Sequence, residues 1–211
     1  MSKNLILSYQ KSGLNFIRYC VEFLTKEITP GRTRLIPSSK PKKKQIYAFR
    51  RSHYSVKTRP DENLIILIRD YRELACRPFG DSPASPQSRE ERIKDLSRRY
   101  KSFFKIYEKH QGKKAIIYYE DLIENLLPIT EIILKVFDLN IKEDLDLFIR
   151  NEKKHREKSF TLGNRRFSDG YSKKFHQRKA SASVLAEMEN FMKNELGELS
   201  IYLDRYSESL K

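Results

Sequence analysis

Leu64–Ile68 is an unbroken run of five aliphatic residues, preceded by Asp61-Glu62 and followed by Arg69-Asp70. It is far shorter than the ~18 residues of a membrane span. It is also too short for a buried helix, which needs roughly 10–12. A short apolar run closed at both ends by charge is the pattern of a strand buried on both faces of a parallel sheet. Asn4–Tyr9, Gln45–Phe49 and Ala115–Tyr119 read as strands of the same kind. Between them the apolar period changes to that of helices. Leu14, Ile17, Val21 and Leu24 form one stripe, with Phe16, Cys20 and Phe23 beside it. Ser88 and Glu91 make a capping box before the stripe Ile93, Leu96, Tyr100, Phe103 and Tyr107. Pro128 opens a helix with Ile129, Ile132, Ile133 and Val136 inward. Asp144–Asn151 and Val184–Leu196 are further helical stretches. Strands alternating with helices predict an α/β fold, a three-layer sandwich around a central parallel sheet of four to five strands. With no internal repeat, residues 1–211 are expected to form one domain.

Charge narrows the choice of partners. Lys and Arg number 43 against 28 Asp and Glu, a formal net charge of +15. Such a surface suits nucleic acid, a phosphorylated cofactor, an anionic polysaccharide or a membrane surface. The 12 Tyr and 12 Phe argue for a packed core rather than a disordered basic tail. Cys20 and Cys76 have neither metal-type spacing nor the makings of a disulfide framework, so a reducing, cytoplasmic setting is expected. The apolar start is too short for a secretory signal and no run is long enough to span a bilayer. The four histidines are scattered and no metal site is expected; His110, His155 and His176, in basic surroundings, read as solvated. The run Lys40–Lys44 reads as a solvated loop or a polyanion contact, Gly80–Gln87 as a flexible segment, and the basic, weakly periodic Lys153–Lys179 as a candidate lid.

The chemistry concentrates where the first strand ends. Lys11-Ser12-Gly13 stands between a strand and a helix, the arrangement that cradles a phosphate. Glycine lets the backbone approach the anion, the helix start offers N–H groups, and the lysine adds a full charge. It is not a Walker A loop, because Lys11 precedes the glycine. Arg69 directly follows a buried strand, where ligands bind in open α/β sheets. The alternative for Arg69 is a plain ion pair with Asp70.

The segment Tyr9-Gln10-Lys11-Ser12-Gly13-Leu14-Asn15-Phe16 resembles the nucleotide loop of the sulfotransferase family, Tyr-Pro-Lys-Ser-Gly-Thr-Thr-Trp. Three further matches come in the family's order. Arg51-Ser52-His53 resembles its Lys-Thr-His, Arg69-Asp70-Tyr71-Arg72-Glu73 its Arg-Asn/Asp-Pro-Arg/Lys-Asp, and Tyr119-Glu120-Asp121-Leu122 its Tyr-Glu-Asp-Leu. More loosely, Lys135-Val136-Phe137-Asp138-Leu139 is similar to a Phe-Leu-Gly helix end. The resemblance implies a P-loop NTPase-like fold and an enzyme using 3′-phosphoadenosine 5′-phosphosulfate, with adenosine 3′,5′-bisphosphate as product and no metal required. It implies His53 as the base and Lys11 against the bridging oxygen of the leaving group. The amides of Ser12, Gly13, Leu14, Asn15 and Phe16 would hold the 5′-phosphate and Arg69 the 3′-phosphate, with Tyr119 near the adenine. Arg165 and Arg166 are the candidate lid arginines.

Departures from the family pattern accompany the matches. Gln10 replaces the proline, Leu14 and Asn15 the threonines, and Phe16 the tryptophan. Arg77 stands where the family has a serine on the 3′-phosphate, and arginine can bind phosphate in a bidentate manner. The acceptor is expected to be a hydroxyl or amine on a small molecule or glycan. The competing reading is a catalytically lapsed member of the same fold that holds nucleic acid or another polyanion.

Overall fold

A computed structural model describes residues 2–31, 46–76, 88–163 and 180–207. Four strands, β1 (Asn4–Ser8), β2 (Arg50–Ser52), β3 (Asn63–Ile68) and β4 (Lys114–Tyr118), form one sheet in the order β2-β1-β3-β4. Every pairing is parallel, with Leu5 opposite Arg50 on one side and Leu64 on the other. The helices are α1 (Leu14–Thr25), α2 (Tyr71–Cys76), α3 (Arg89–Lys109), α4 (Tyr119–Glu124), α5 (Leu126–Phe137), α6 (Leu145–Arg150), α7 (Glu152–Gly163) and α8 (Ala182–Leu196), followed by a 3-10 helix over Gly197–Tyr206. The chain is α/β with a central parallel sheet, as the strand and helix periods predict.

The residues divide into two compact units, one built from Met1–Ile68 with His110–Gly170, the other from Arg69–Lys109 with Tyr171–Lys211. The first holds the sheet and its main core. Ile6, Ile65, Leu67 and Ile117 pack with Ile17, Val21 and Leu24 of α1 and with Ile129, Ile133 and Phe137 of α5. Leu5, Leu7, Leu64, Ile66 and Ile68 are equally buried, so β1 and β3 are apolar on both faces. α1 and α5 each end on a residue with positive φ, Lys26 and Asp138, whose N–H groups return to Glu22 and Leu134. That is the usual left-handed helix stop. In the second unit the capping box forms as expected, Ser88 N–H to Glu91 at 2.7 Å and Glu91 N–H to the Ser88 hydroxyl at 3.1 Å. Ile93, Leu96, Tyr100 and Phe103 of α3 are buried.

Several expectations shift. The apolar Gln45–Phe49 is not the second strand over its described residues. Ala48 and Phe49 are buried, but the Ala48 N–H bonds to Ile28 O, and the ladder begins at Arg50. β2 is an edge strand of half-exposed polar residues, so hydrophobicity marked burial there rather than pairing. β4 ends one residue early, which makes Tyr119 the first residue of α4. Ile132 is exposed and the inward stripe of α5 runs through Leu126, Ile129, Ile133 and Phe137. His110 is buried where the chain turns tightly into β4, its carbonyl held by Lys114 Nζ at 2.8 Å. Helix α7 occupies the start of the candidate lid.

Candidate functional site

The strand order puts β1 between β2 and β3, so the chain leaves β1 in one direction and β3 in the other. Parallel sheets open a crevice beyond the carboxyl ends of such a pair. Tyr9–Gly13 leaves β1 at that point. Two residues bend it: Lys11 at φ 65 and Gly13 at φ 92. Among the described residues the other non-glycine positions with positive φ are the two helix stops, so Lys11 is the one that holds this conformation inside a loop.

The amides of the loop are partly spent. Ser12 N–H donates to Tyr9 O at 3.4 Å, and Phe16 N–H to Gly13 O at 2.8 Å. Leu14 and Asn15, at the start of α1, have no carbonyl within the helix to receive their N–H groups. Of the amides expected over Ser12–Phe16, those of Ser12 and Phe16 thus already bond within the loop. The Leu14 and Phe16 side chains turn into the core, with the Arg156 guanidinium 5.8 Å from the Phe16 ring centre. The Ser12 hydroxyl is fully buried and has no hydrogen-bond partner among the described residues. A buried hydroxyl without a partner is costly in a native fold, and an anion in the loop would relieve it. Loop, lysine and orphaned hydroxyl together fit a phosphate.

Tyr119 forms a wall of the loop. A methyl group on Gly13 would lie 2.3 Å from Tyr119 Cδ2, so the ring rests against the glycine. Only a residue without a side chain allows that contact.

His53 follows β2, one residue beyond the strand. Its Nδ1 lies 2.8 Å from Ser8 O, the last carbonyl of β1, and 3.4 Å from the Ser8 hydroxyl. A carbonyl can only accept, so Nδ1 carries a proton, and in a singly protonated ring Nε2 is the basic nitrogen. The strand that leads to it is anchored from below. Glu62, fully buried, accepts from Arg50 Nε at 2.5 Å and Nη2 at 2.6 Å, and from Arg59 Nη2 at 3.2 Å. Burial works against the charge of Glu62, but the two arginines outweigh it and hold its carboxyl below the ordinary value.

Two residues of this region escape the sequence patterns. Ser8 acts through its carbonyl, which no residue-type pattern marks. Arg18 is buried in α1, donating from Nη1 to Asn15 Oδ1 at 3.1 Å and from Nε to the Thr29 hydroxyl at 3.0 Å, with Glu22 at 3.6 Å. It braces Asn15 through its carbonyl oxygen and leaves the amide nitrogen as the donor that side chain can offer. Burial depresses the Arg18 pKa, Glu22 opposes that, and the nearby Arg51 adds to it. An arginine on the apolar face of α1, three residues after Asn15, was the available signal.

Arg69 is buried, and its guanidinium makes a two-point pair with Glu73, Nε to Oε2 at 2.7 Å and Nη2 to Oε1 at 2.9 Å. Asp70, the alternative partner read from the sequence, pairs with Arg72 at 3.0 Å. Arg77, Arg165 and Arg166 lie outside the described residues, as do the run Lys40–Lys44 and His176. Among the described residues no group of three or more His, Cys, Asp or Glu side chains could hold a metal ion, and no helix is long and apolar enough to cross a membrane.

No protein-family model matches the chain, and no curated protein sequence matches it. Among solved structures, mouse sulfotransferase SULT7A1 complexed with PAP is similar, at 10% identity over 99% of this chain and 89% of that chain, with a TM-score of 0.50. At that identity the likeness concerns the fold: this chain has the P-loop-like α/β architecture of that sulfotransferase.

Proposed function

We propose that the protein is a sulfotransferase, moving a sulfuryl group from 3′-phosphoadenosine 5′-phosphosulfate to a hydroxyl or amine. The observation that carries this reading is the pairing of His53 with the end of β1. One short hydrogen bond to Ser8 O fixes the tautomer that a general base needs, on the strand that continues into Lys11-Ser12-Gly13. The shared fold with a PAP-bound sulfotransferase supports the choice of donor.

Sulfuryl transfer, like phosphoryl transfer, asks the protein mainly to position groups and stabilise charge. The donor supplies an activated sulfuryl group. On this reading the Gly13, Leu14 and Asn15 amides and the Ser12 hydroxyl hold its 5′-phosphate. Lys11 neutralises the charge that builds on the bridging oxygen as the sulfur–oxygen bond breaks. His53 Nε2 takes the proton from the acceptor as the new bond to sulfur forms. Arg69 is assigned the 3′-phosphate, and Tyr119, beside the loop, is assigned the adenine. Arg77, Arg165 and Arg166 remain assigned to phosphate by resemblance, and no step depends on a metal.

Incubation with radiolabelled donor and a panel of phenols, sugar alcohols and amines tests the proposal. Transfer to at least one class is expected, and His53→Ala should lower it by about 100- to 10,000-fold, the usual contribution of a general base. Undiminished transfer by His53→Ala would overturn the assignment.

A further inference from the structure

At the far end of α1 from the loop lies an open cavity of about 300 Å³, lined also by α6 and α7. Phe23, on its wall, is nine residues beyond Leu14, roughly 13 Å along the helix axis. The cavity is therefore separate from the groups assigned to transfer, and its ligand chemistry is independent of that assignment.

Its walls are aromatic. The His155 ring stacks on Phe148 with centroids 4.4 Å apart and meets Phe23 edge-on at 4.5 Å, while Leu147, 55% exposed, stands at the mouth. His155 Nδ1 is engaged by the Tyr19 hydroxyl at 2.8 Å, and Nε2 has no partner among the described residues. Burial, then Lys158 and Lys154, push the His155 imidazole below its ordinary value, while burial raises the Tyr19 phenol to about 12. Both rings are thus neutral near pH 7.

The charges at the rim are unequal in what they can offer. Glu143 is taken up by Lys26 at 2.5 Å, and Asp144 caps α6 through the Leu147 N–H at 2.8 Å. Lys154 and Lys158, one turn apart on α7, are exposed at the same rim. Apolar rings below and cationic amines above complement one kind of occupant. We infer that this cavity binds a small aryl anion, a planar ring of one or two cycles bearing a carboxylate or sulfate, with the ring against Phe23, His155 and Leu147 and the anion at Lys154 and Lys158. A volume near 300 Å³ is at the lower end of the range for small-molecule sites, which suits a ligand of that size.

The test is titration of the intact protein with naphthoate, naphthylmethanol and acetate, observing the His155 imidazole by NMR. Naphthoate should shift that signal saturably with sub-millimolar affinity, naphthylmethanol should bind about tenfold more weakly, and acetate should leave it unmoved. Replacing Lys154→Gln and Lys158→Gln together should weaken naphthoate about tenfold and leave the alcohol unchanged. Leu147→Trp, at an exposed position that the core does not need, should block both. Equal affinity for naphthoate and the alcohol, an unchanged response in the double variant, or binding that leaves His155 unmoved would each overturn the proposal.

Discussion

Gly13→Ala is the substitution whose cost follows most directly from the geometry of the Tyr9–Gly13 loop. Gly13 has φ 92, in the left-handed region, where a side chain costs about 1–2 kcal/mol. The new methyl would also meet Tyr119 at 2.3 Å from Cδ2 and 2.5 Å from Cε2. Carbon atoms in good contact stand about 3.5–4.0 Å apart, so the ring must swing away. Overpacking of this kind adds about 1–3 kcal/mol. The total, about 2–5 kcal/mol, should lower the melting midpoint of a chain this size by on the order of 10 °C. The two contributions can be separated. In a Tyr119→Ala background the clash is gone and only the backbone cost remains, so Gly13→Ala should then cost about 1–2 kcal/mol. Urea denaturation of the four proteins measures the coupling. If Gly13→Ala costs the same in both backgrounds to within about 0.5 kcal/mol, the ring does not rest on the glycine and the geometry of this wall is wrong.

Glu62 should govern acid stability of the strand that leads to His53. Its folded pKa is depressed, so its contribution is present above the ordinary carboxyl value of about 4.3 and is lost as pH falls through the lower folded value. Glu62→Gln should cost about 1–3 kcal/mol at neutral pH, less than for a fully buried pair because Arg50 and Arg59 are partly exposed, and the gap from wild type should close in acid. A gap that persists unchanged in acid would refute the role of its charge. The thiols should differ as well: burial pushes Cys20 far up and leaves it inaccessible, whereas Cys76, also raised, is partly exposed. A disulfide reagent should label Cys76 in the native protein and Cys20 only after unfolding. Comparable native rates would contradict the packing of α1.

The sheet was largely legible because buried parallel strands leave a plain mark. Leu64–Ile68 is apolar on both faces, and the strand is found where that run predicts it. β2 left no such mark: an edge strand of Arg50, Arg51 and Ser52 is held by its ladder and by Glu62, not by apolar side chains. The apolar residues just before it, Ala48 and Phe49, are buried without belonging to it. Lys11, Gly13, Tyr119 and His53 could be picked out by residue type and by position at strand ends. The bond that orients His53 could not, because its acceptor is a backbone carbonyl. Nor could the two-point pairing of Arg69 with Glu73. Arg69 precedes α2, and the turn of the chain into that helix at Tyr71 brings the carboxylate four positions on back to its guanidinium.

Nucleotide binding tests the central claim most directly. Calorimetric titration with adenosine 3′,5′-bisphosphate, with AMP and ATP as controls, should be run at moderate salt, where weak attraction to a strongly basic surface is screened beyond about 8 Å. Low-micromolar affinity is expected, near −8 kcal/mol, selective over AMP and weakened by Arg69→Ala. Equal and steeply salt-dependent binding of all three nucleotides would contradict the claim, and would mean that the loop holds phosphate without reading the nucleotide.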